Sequence, residues 1–295
     1  MTAVTRDHRG GFLRLDPLPT PEEVAEYYAS EFYDRANTSY VNDSSLENLE
    51  EEAEFHRRAY EDHFRLLDTW VNLHRPLSHC RVADIGSGFG HWLAFLREKG
   101  VSGYGVEPVE SGVEFTRSMG IETYQLGVED MTAPPGGAVD VVTMINVLEH
   151  LRDPFAALVG FRENWLKPGG WILIRVPNDF NDFQVAANEL HDLGEWWVAA
   201  PRHINYFSHV TLRALLDHAG YETVASTSTF PLEMFLLMGD IYVGDPAVGK
   251  DCHRKRVLFE RSLELAGHTE ARSRLYEALA SAGLGREVVL LAQAR

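Results

Sequence analysis

Cysteine is almost missing from this sequence, and so are long apolar runs and an excess of basic charge. Cys80 and Cys252 are its only cysteines, too few for a disulfide framework or a cysteine-based zinc site. No apolar run reaches the roughly 20 residues that a membrane-spanning helix needs. The opening residues Met1 to Gly11 hold no apolar stretch of the signal-peptide kind. Cytoplasmic localisation with no membrane partner is therefore expected. Lys and Arg number 27 against 44 Asp and Glu, a formal net charge of -17. Nucleic-acid binders draw much of their affinity from phosphate contacts and carry a basic face. Here the one basic cluster, His253 to Arg256 with Lys250 before it, is short, and the remaining charge would repel a polyanion. The expected partner is a small-molecule substrate and not a nucleic acid.

What is present is a hydrophobic content of 45% over 295 residues, enough for a substantial core. Between about 81 and 176, short β-branched runs alternate with helical patterns, which predicts an α/β parallel sheet. The runs place strands at 81–85, 103–106, 122–125, 139–145 and 171–176, with helices at 91–99, 110–119 and 154–166. Leu166 to Gly170 reads as a helix end and turn. A helix at 209–219 then leads to a strand at 221–227, and the last strand is at 287–292. Residues 20–75 and 231–282 look helical and stand outside the alternation. The expected division is a helical N-terminal cap (1–75), a core (76–230), a helical insertion (231–282) and the last core strand (283–295).

The most informative stretch is Val82-Ala83-Asp84-Ile85-Gly86-Ser87-Gly88-Phe89-Gly90. It runs off a strand into a helix. Glycines allow a tight turn and close approach of a ligand to the backbone, and the helix N-terminus directs free N–H groups at it. Glu107 falls at the end of the next strand, where a carboxylate can accept from two ribose hydroxyls. The loop is G-x-G-x-G with Asp84 ahead of it, whereas the dinucleotide pattern is G-x-G-x-x-G. A nicotinamide dehydrogenase is disfavoured on that spacing.

Asp84-x-Gly86-x-Gly88-x-Gly90 resembles the first motif of the class I S-adenosylmethionine-dependent methyltransferases. The likeness continues through Val106-Glu107-Pro108, Gly127-Val128-Glu129-Asp130, Asp140-Val141-Val142, Asn146-Val147-Leu148-Glu149-His150 and Leu166-Lys167-Pro168-Gly169-Gly170. Leu148-Glu149-His150 is similar to the ubiquinone-type and sugar-type small-molecule enzymes. The resemblance implies a Rossmann-like, mostly parallel seven-stranded sheet with an antiparallel last strand. It implies S-adenosyl-L-methionine as cofactor, with the glycine loop and Ser87 around its methionine part and Glu107 and Pro108 at the ribose. Val128 and Glu129 would border the adenine, and Asn146 and Val147 the sulfonium.

Methyl transfer to oxygen or carbon benefits from a base, and histidine titrates near neutrality. His150 follows the fourth strand and His203 precedes the helix at 209, so these two are the candidate catalytic residues. Each is equally open to a structural reading, as a hydrogen-bonded histidine beside the site. Tyr33, Trp196, His203 and Tyr206 are the candidate substrate contacts. No metal set stands out, and the spacing of His191, Asp192 and His203 is not diagnostic. The implied activity is methyl transfer to an oxygen or carbon, less readily nitrogen, of a small metabolite. Transfer or cyclisation of the cofactor's aminocarboxypropyl arm and a non-catalytic binding module remain alternatives. A homodimer is also open.

Overall fold

The computed structural model describes residues 3–20, 22–24, 46–128 and 132–295. The chain opens as an antiparallel hairpin of strands β1 (Ala3–Arg6) and β2 (Leu13–Asp16). Its turn is organised by Asp7, whose carboxylate accepts from the N–H groups of Arg9 and Gly10. This corrects the expectation that residues 1–75 are a helical cap. The helix α1 (Leu46–Val71) is present, but the first segment is extended and belongs to a small sheet.

The core follows in regular alternation: β3 (Arg81–Ile85), α2 (His91–Glu98), β4 (Ser102–Glu107), α3 (Glu110–Ser118), β5 (Thr123–Gln125) and β6 (Val139–Ile145). Next come α4 (Pro154–Gly160), a π-helical turn at Phe161–Trp165, and β7 (Leu166–Pro177). Leu166 already pairs with Val139, and the ladder then shifts register before Trp171 meets Val141. Residues 166–170, expected as a turn, are therefore the irregular start of a strand.

Helix α5 (Asp182–His191), which the sequence reading missed, is capped by the Asn181 side chain accepting from Phe183 and Gln184. The two-residue strand β8 (Asn205–Tyr206) pairs with β2 to complete the small sheet. The chain ends with α6 (His209–His218), β9 (Tyr221–Ser228), α7 (Glu233–Leu237), α8 (Pro246–Leu265), α9 (Thr269–Ser281) and β10 (Glu287–Ala294).

The seven-stranded sheet runs β5-β4-β3-β6-β7-β10-β9. Its first five strands are parallel, and β10 is antiparallel to both β7 and β9. Alternate side chains feed two cores, as a sheet covered on both faces requires. Ala83, Ile85, Val142, Met144 and Ile174 pack with Leu158, Trp165, Leu212 and Leu216. Val82, Val141 and Leu173 pack with Leu67, Trp92 and Leu96. The strand order reverses between β3 and β6, so the crevice at their carboxyl ends is where a ligand is held in such sheets. No described helix is long and apolar enough to cross a membrane.

Candidate active site

The crevice has a cofactor side built on β3 and β4. Gly86, Gly88 and Gly90 have φ of 67°, 53° and 69°, a left-handed region that glycine enters without a Cβ penalty. The loop is pinned by the N–H groups of Gly86 and Ser87, which donate to the Val106 carbonyl at 2.8 and 3.1 Å. A Cβ on Gly86 would stand 2.5 Å from Cγ2 of Val147, and one on Gly90 2.5 Å from Cγ2 of Thr116. At Gly88 it would meet nothing within 4 Å. The middle glycine thus faces open space, while the outer two let the loop lie tight on its neighbours. Among the described residues no side chain caps α2, so its first-turn N–H groups are left to the loop side.

Glu107 closes the other wall. Its Oε2 accepts from Gly88 N–H at 2.8 Å and its Oε1 from Val109 N–H at 3.0 Å. Each carboxylate oxygen can accept a second bond, so a diol can be held without giving up these two. Asp84 is buried behind the loop and accepts from the Thr143 hydroxyl at 2.7 Å. Burial pushes its carboxyl up to about 7, the Thr143 bond pulling it down and the Glu107 charge raising it further. Two buried carboxylates this close would repel an anionic pyrophosphate and suit a ligand carrying positive charge. S-adenosylmethionine, with its ammonium and sulfonium, fits this cradle.

The Asp84 shift gives a stability prediction. A carboxyl whose folded pKa is raised contributes stability that is full below about 3.8 and is lost as pH rises through about 7. Asp84→Asn stays neutral throughout. In cofactor-free protein its Tm should gain on that of the wild type as pH rises from 4 to 7. The slope would reach at most about 1.4 kcal/mol per pH unit. A Tm difference that does not change with pH would refute this.

The other expected cofactor contacts are scattered around the same edge. Ser87 is buried, and its hydroxyl has no hydrogen-bond partner among the described residues. Pro108 is exposed and Val128 half-buried against the first core. Asn146 is exposed, with φ of 56°, and its N–H donates to the Arg175 carbonyl at 2.8 Å. A left-handed asparagine at a strand end turns the chain sharply and lays Val147 against Gly86. Glu129 and Tyr33 lie outside the described residues.

The second half of the crevice is assembled from distant segments. His150 donates its Nδ1 proton to the Arg202 carbonyl at 2.7 Å, since that oxygen can only accept. Its Nε2 therefore carries the lone pair, 3.7 Å from Oε1 of Glu149. The His203 ring stands edge-on to the His150 ring, with centroids 5.1 Å apart. Ligand atoms of Glu149, His150 and His203 all lie within 4.8 Å of one another. His191, by contrast, points its Nε2 at the Leu236 carbonyl, 3.0 Å away, and is not in this group.

The segment carrying His203 is strapped from both sides. Leu15 N–H donates to the Ile204 carbonyl at 2.9 Å, and Ile204 N–H to the Glu149 carbonyl at 2.8 Å. The Asn205 amide reaches the carbonyls of Leu148 and Leu151 at 3.2 and 2.7 Å. Arg14 of the hairpin donates to the Arg152 carbonyl at 2.6 Å. Tyr206 is buried and donates its hydroxyl to the His203 carbonyl at 2.8 Å. Its hydroxyl therefore braces this loop. Trp196 is half-buried, 4.6 Å from the ring of Trp197, which packs edge-on to Phe180 at 5.4 Å.

Burial sets the protonation of this group. It pushes His150 down to about 4, against the Arg202 carbonyl bond that raises it. It pushes His203 still lower, helped by His150 and Arg202. Both rings are neutral near pH 7, but imidazoles this acidic are weak bases. Burial also raises the Glu149 carboxyl to about 8, with the charges of Asp179 and Glu287 acting in the same direction.

A cavity of about 560 Å³ opens over β7, β10 and β9 and beneath α1 and α9. His63, Trp70, Arg175, Thr227, Tyr276 and Glu287 are on its wall. Arg175 is paired with Ile145 in the sheet, and the charges of Arg175 and Glu287 on the cavity wall act on Glu149. Sequence reading passed over this cavity and the burial of the Glu149 carboxyl. The one available signal for Glu149 was an acid directly preceding His150 in the turn after a strand.

The glycine cradle, the paired buried acids and the reversal of strand order define a Rossmann-like site for a nucleoside cofactor. The chain belongs to the class I S-adenosylmethionine-dependent methyltransferases: the model of the methyltransferase domain family matches residues 25–226. It is similar to the ubiquinone biosynthesis O-methyltransferases of Thiobacillus denitrificans, 32% identical over 115 residues, and Bordetella pertussis, 33% over 108. These matches take in 37% and 35% of this chain and 49% and 44% of the relatives. The chain thus spans about half the length of the curated relatives it matches.

Two solved structures share the fold. The magnesium protoporphyrin IX methyltransferase of Synechocystis PCC 6803 with bound SAH has a TM-score of 0.57 at 13% identity. The match covers 94% of this chain and all 100% of that one. An S-adenosylmethionine-dependent methyltransferase from Archaeoglobus fulgidus has a TM-score of 0.50 at 17% identity, covering 89% and 100%.

Proposed function

We propose that this chain transfers a methyl group to an oxygen of a small metabolite, with carbon the next choice and nitrogen less favoured. The observation that carries the reading is the His150–His203 pair, strapped at the end of β6 beside Asn146 and Val147. The relatives that methylate oxygen in ubiquinone biosynthesis support it, as does a neighbouring cavity of about 560 Å³, within the range of small-molecule sites. The reading places the acceptor with its reacting atom toward the two histidines and its body in that cavity.

When bound, S-adenosylmethionine supplies an electrophilic methyl on a sulfonium. In this reading Gly86, Ser87, Gly88 and Gly90 surround its methionine part, and the buried Asp84 and Glu107 complement its positive charge. Glu107 and Pro108 take the ribose, and Val128 with Glu129 the adenine. Asn146 and Val147 position the sulfonium. Trp196 and Tyr33 are assigned to the acceptor, and the two histidines orient its hydroxyl. Both rings are half-buried, which limits water around the acceptor.

Co-product analysis tests this reading against its alternative. Incubation with S-adenosylmethionine and a panel of phenols, sugars and amino-acid derivatives should release S-adenosylhomocysteine. Release of methylthioadenosine instead would replace methyl transfer with chemistry on the aminocarboxypropyl arm.

A further inference from the structure

We infer that the cavity beneath α1 takes the body of an uncharged, largely apolar acceptor, and that a second hydroxyl on this acceptor hydrogen-bonds His63. The inference deepens the methyl-transfer reading and rests on it for the bound molecule being the methyl acceptor. The cavity and its anchor stand on separate observations.

His63 is the first of these. Its ring is on the cavity wall and 3% exposed, and its Nδ1 has no hydrogen-bond partner among the described residues. A buried polar atom left unpaired costs stability. Packing alone does not call for it, since the ring stands edge-on to Trp92 at 6.0 Å, a contact that an apolar side chain would serve. Burial pushes the imidazole down to about 3, with the Arg175 charge acting the same way and Glu287 against it. The ring is therefore neutral and has one donor and one acceptor nitrogen. A hydroxyl can meet either of them, and the broad χ2 torsion of histidine lets the ring turn toward it.

The second observation is position. Trp92 donates its indole N–H to the Thr143 hydroxyl at 3.3 Å, and Thr143 donates to Asp84 at 2.7 Å behind the glycine loop. His63 thus stands one aromatic ring from the cofactor cradle. The charges of Arg175 and Glu287 act on both His63 and Glu149, which ties the same wall to the turn that carries His150.

The third is the way the wall's charges are matched. Arg175 meets Glu287 at 2.6 Å, Arg272 meets Asp62 at 2.7 Å, and the Tyr276 hydroxyl donates to Glu260 at 2.6 Å. Arg256 donates to His253 at 2.9 Å and lies over the Phe55 ring. The other charges on the described wall, Arg65, Glu270, Arg274 and Glu277, are exposed. An ionic group entering the cavity would have to break one of the inner pairs, which is costly in a buried place. An uncharged ligand leaves them intact and packs on Leu66, Trp70, Val224, Ala225 and Val289.

The test is calorimetry on the full chain loaded with S-adenosylhomocysteine, with 2,7-dihydroxynaphthalene, 2-naphthol and 7-hydroxy-2-naphthoate as probes. The diol should bind one per chain. The naphthol, which lacks one hydroxyl, and the charged naphthoate should each bind about tenfold more weakly or worse. His63→Leu should weaken the diol about tenfold and leave 2-naphthol unchanged. Its Tm should equal or exceed that of the wild type, because the unpaired nitrogen is gone. No binding of the diol by the wild type, equal diol affinity in wild type and His63→Leu, or tighter binding of the naphthoate than of the diol would each overturn the inference. Should His63→Leu not fold, the order of the three probes on the wild type decides. The expected affinities together with methylthioadenosine release would uphold the pocket and remove the methyl-transfer reading. S-adenosylhomocysteine release from an acceptor whose turnover His63→Leu leaves unchanged would do the reverse.

Discussion

Glu107→Ala should lower affinity for S-adenosylhomocysteine by about 100-fold or more. The carboxylate accepts from Gly88 and Val109, and in the proposed site it also accepts from two ribose hydroxyls. Hydrogen bonds to a charged group contribute about 1.5–3 kcal/mol each, so losing two corresponds to at least two powers of ten. The truncation also strips the Gly88 N–H of its acceptor, which loosens the loop at its open middle. Glu107→Gln keeps one acceptor oxygen and the shape of the side chain, and should fall between the wild type and the alanine variant. Calorimetric titration of the three proteins checks the order. Equal affinity across all three would remove Glu107 from the ribose.

The second large effect is expected from His203→Ala, and it separates the two halves of the crevice. Turnover should fall by about 100-fold, as for the loss of a group that positions the reacting hydroxyl. The KM for S-adenosylmethionine should stay near that of the wild type, because the ring touches nothing in the glycine cradle. Tyr206→Phe is the companion variant. It removes only the hydroxyl that holds the His203 carbonyl and should lower kcat more mildly. A fall in cofactor affinity matching the fall in turnover would make His203 a structural support of the whole edge.

The cofactor half was legible in the sequence because its parts are close together along the chain and each has a local cause. Gly86, Gly88 and Gly90 need positive φ, Glu107 ends the very next strand, and the apolar runs of β3, β4 and β6 are bounded by turns. Asp84 was read as part of the motif, and only its burial against Thr143 and Glu107 brings out its charge preference. The antiparallel β10 followed from the family resemblance, not from periodicity.

The proposed acceptor half was legible only as single residues. His150 and His203 could each be named, but their approach depends on Asn205, Ile204 and Arg14 bonds between segments far apart in sequence. The hairpin strands β1 and β2 are four residues each, too short for the alternation of Leu13-Arg14-Leu15-Asp16 to mark them as extended by itself. Leu13 and Arg14 are fixed by pairing with Tyr206 and Asn205. Residues 166–170 misled for a related reason: Pro168 and Gly169 are turn residues by habit, and only the partner Val139 draws them into a strand.

That hairpin also orders the two halves in folding. The Arg14 bond to the Arg152 carbonyl joins residues 138 apart in the chain, whereas the glycine loop and Glu107 are made within one strand-helix-strand unit. Contacts between distant segments carry the larger loop-closure cost and arise late. A small sheet of short strands opens at lower free energy than the central strands of the large one. The chain can therefore acquire its nucleoside cradle before its acceptor side is complete. Mild destabilisation then removes the two abilities in reverse order, so that a population still able to hold the cofactor is already unable to use it.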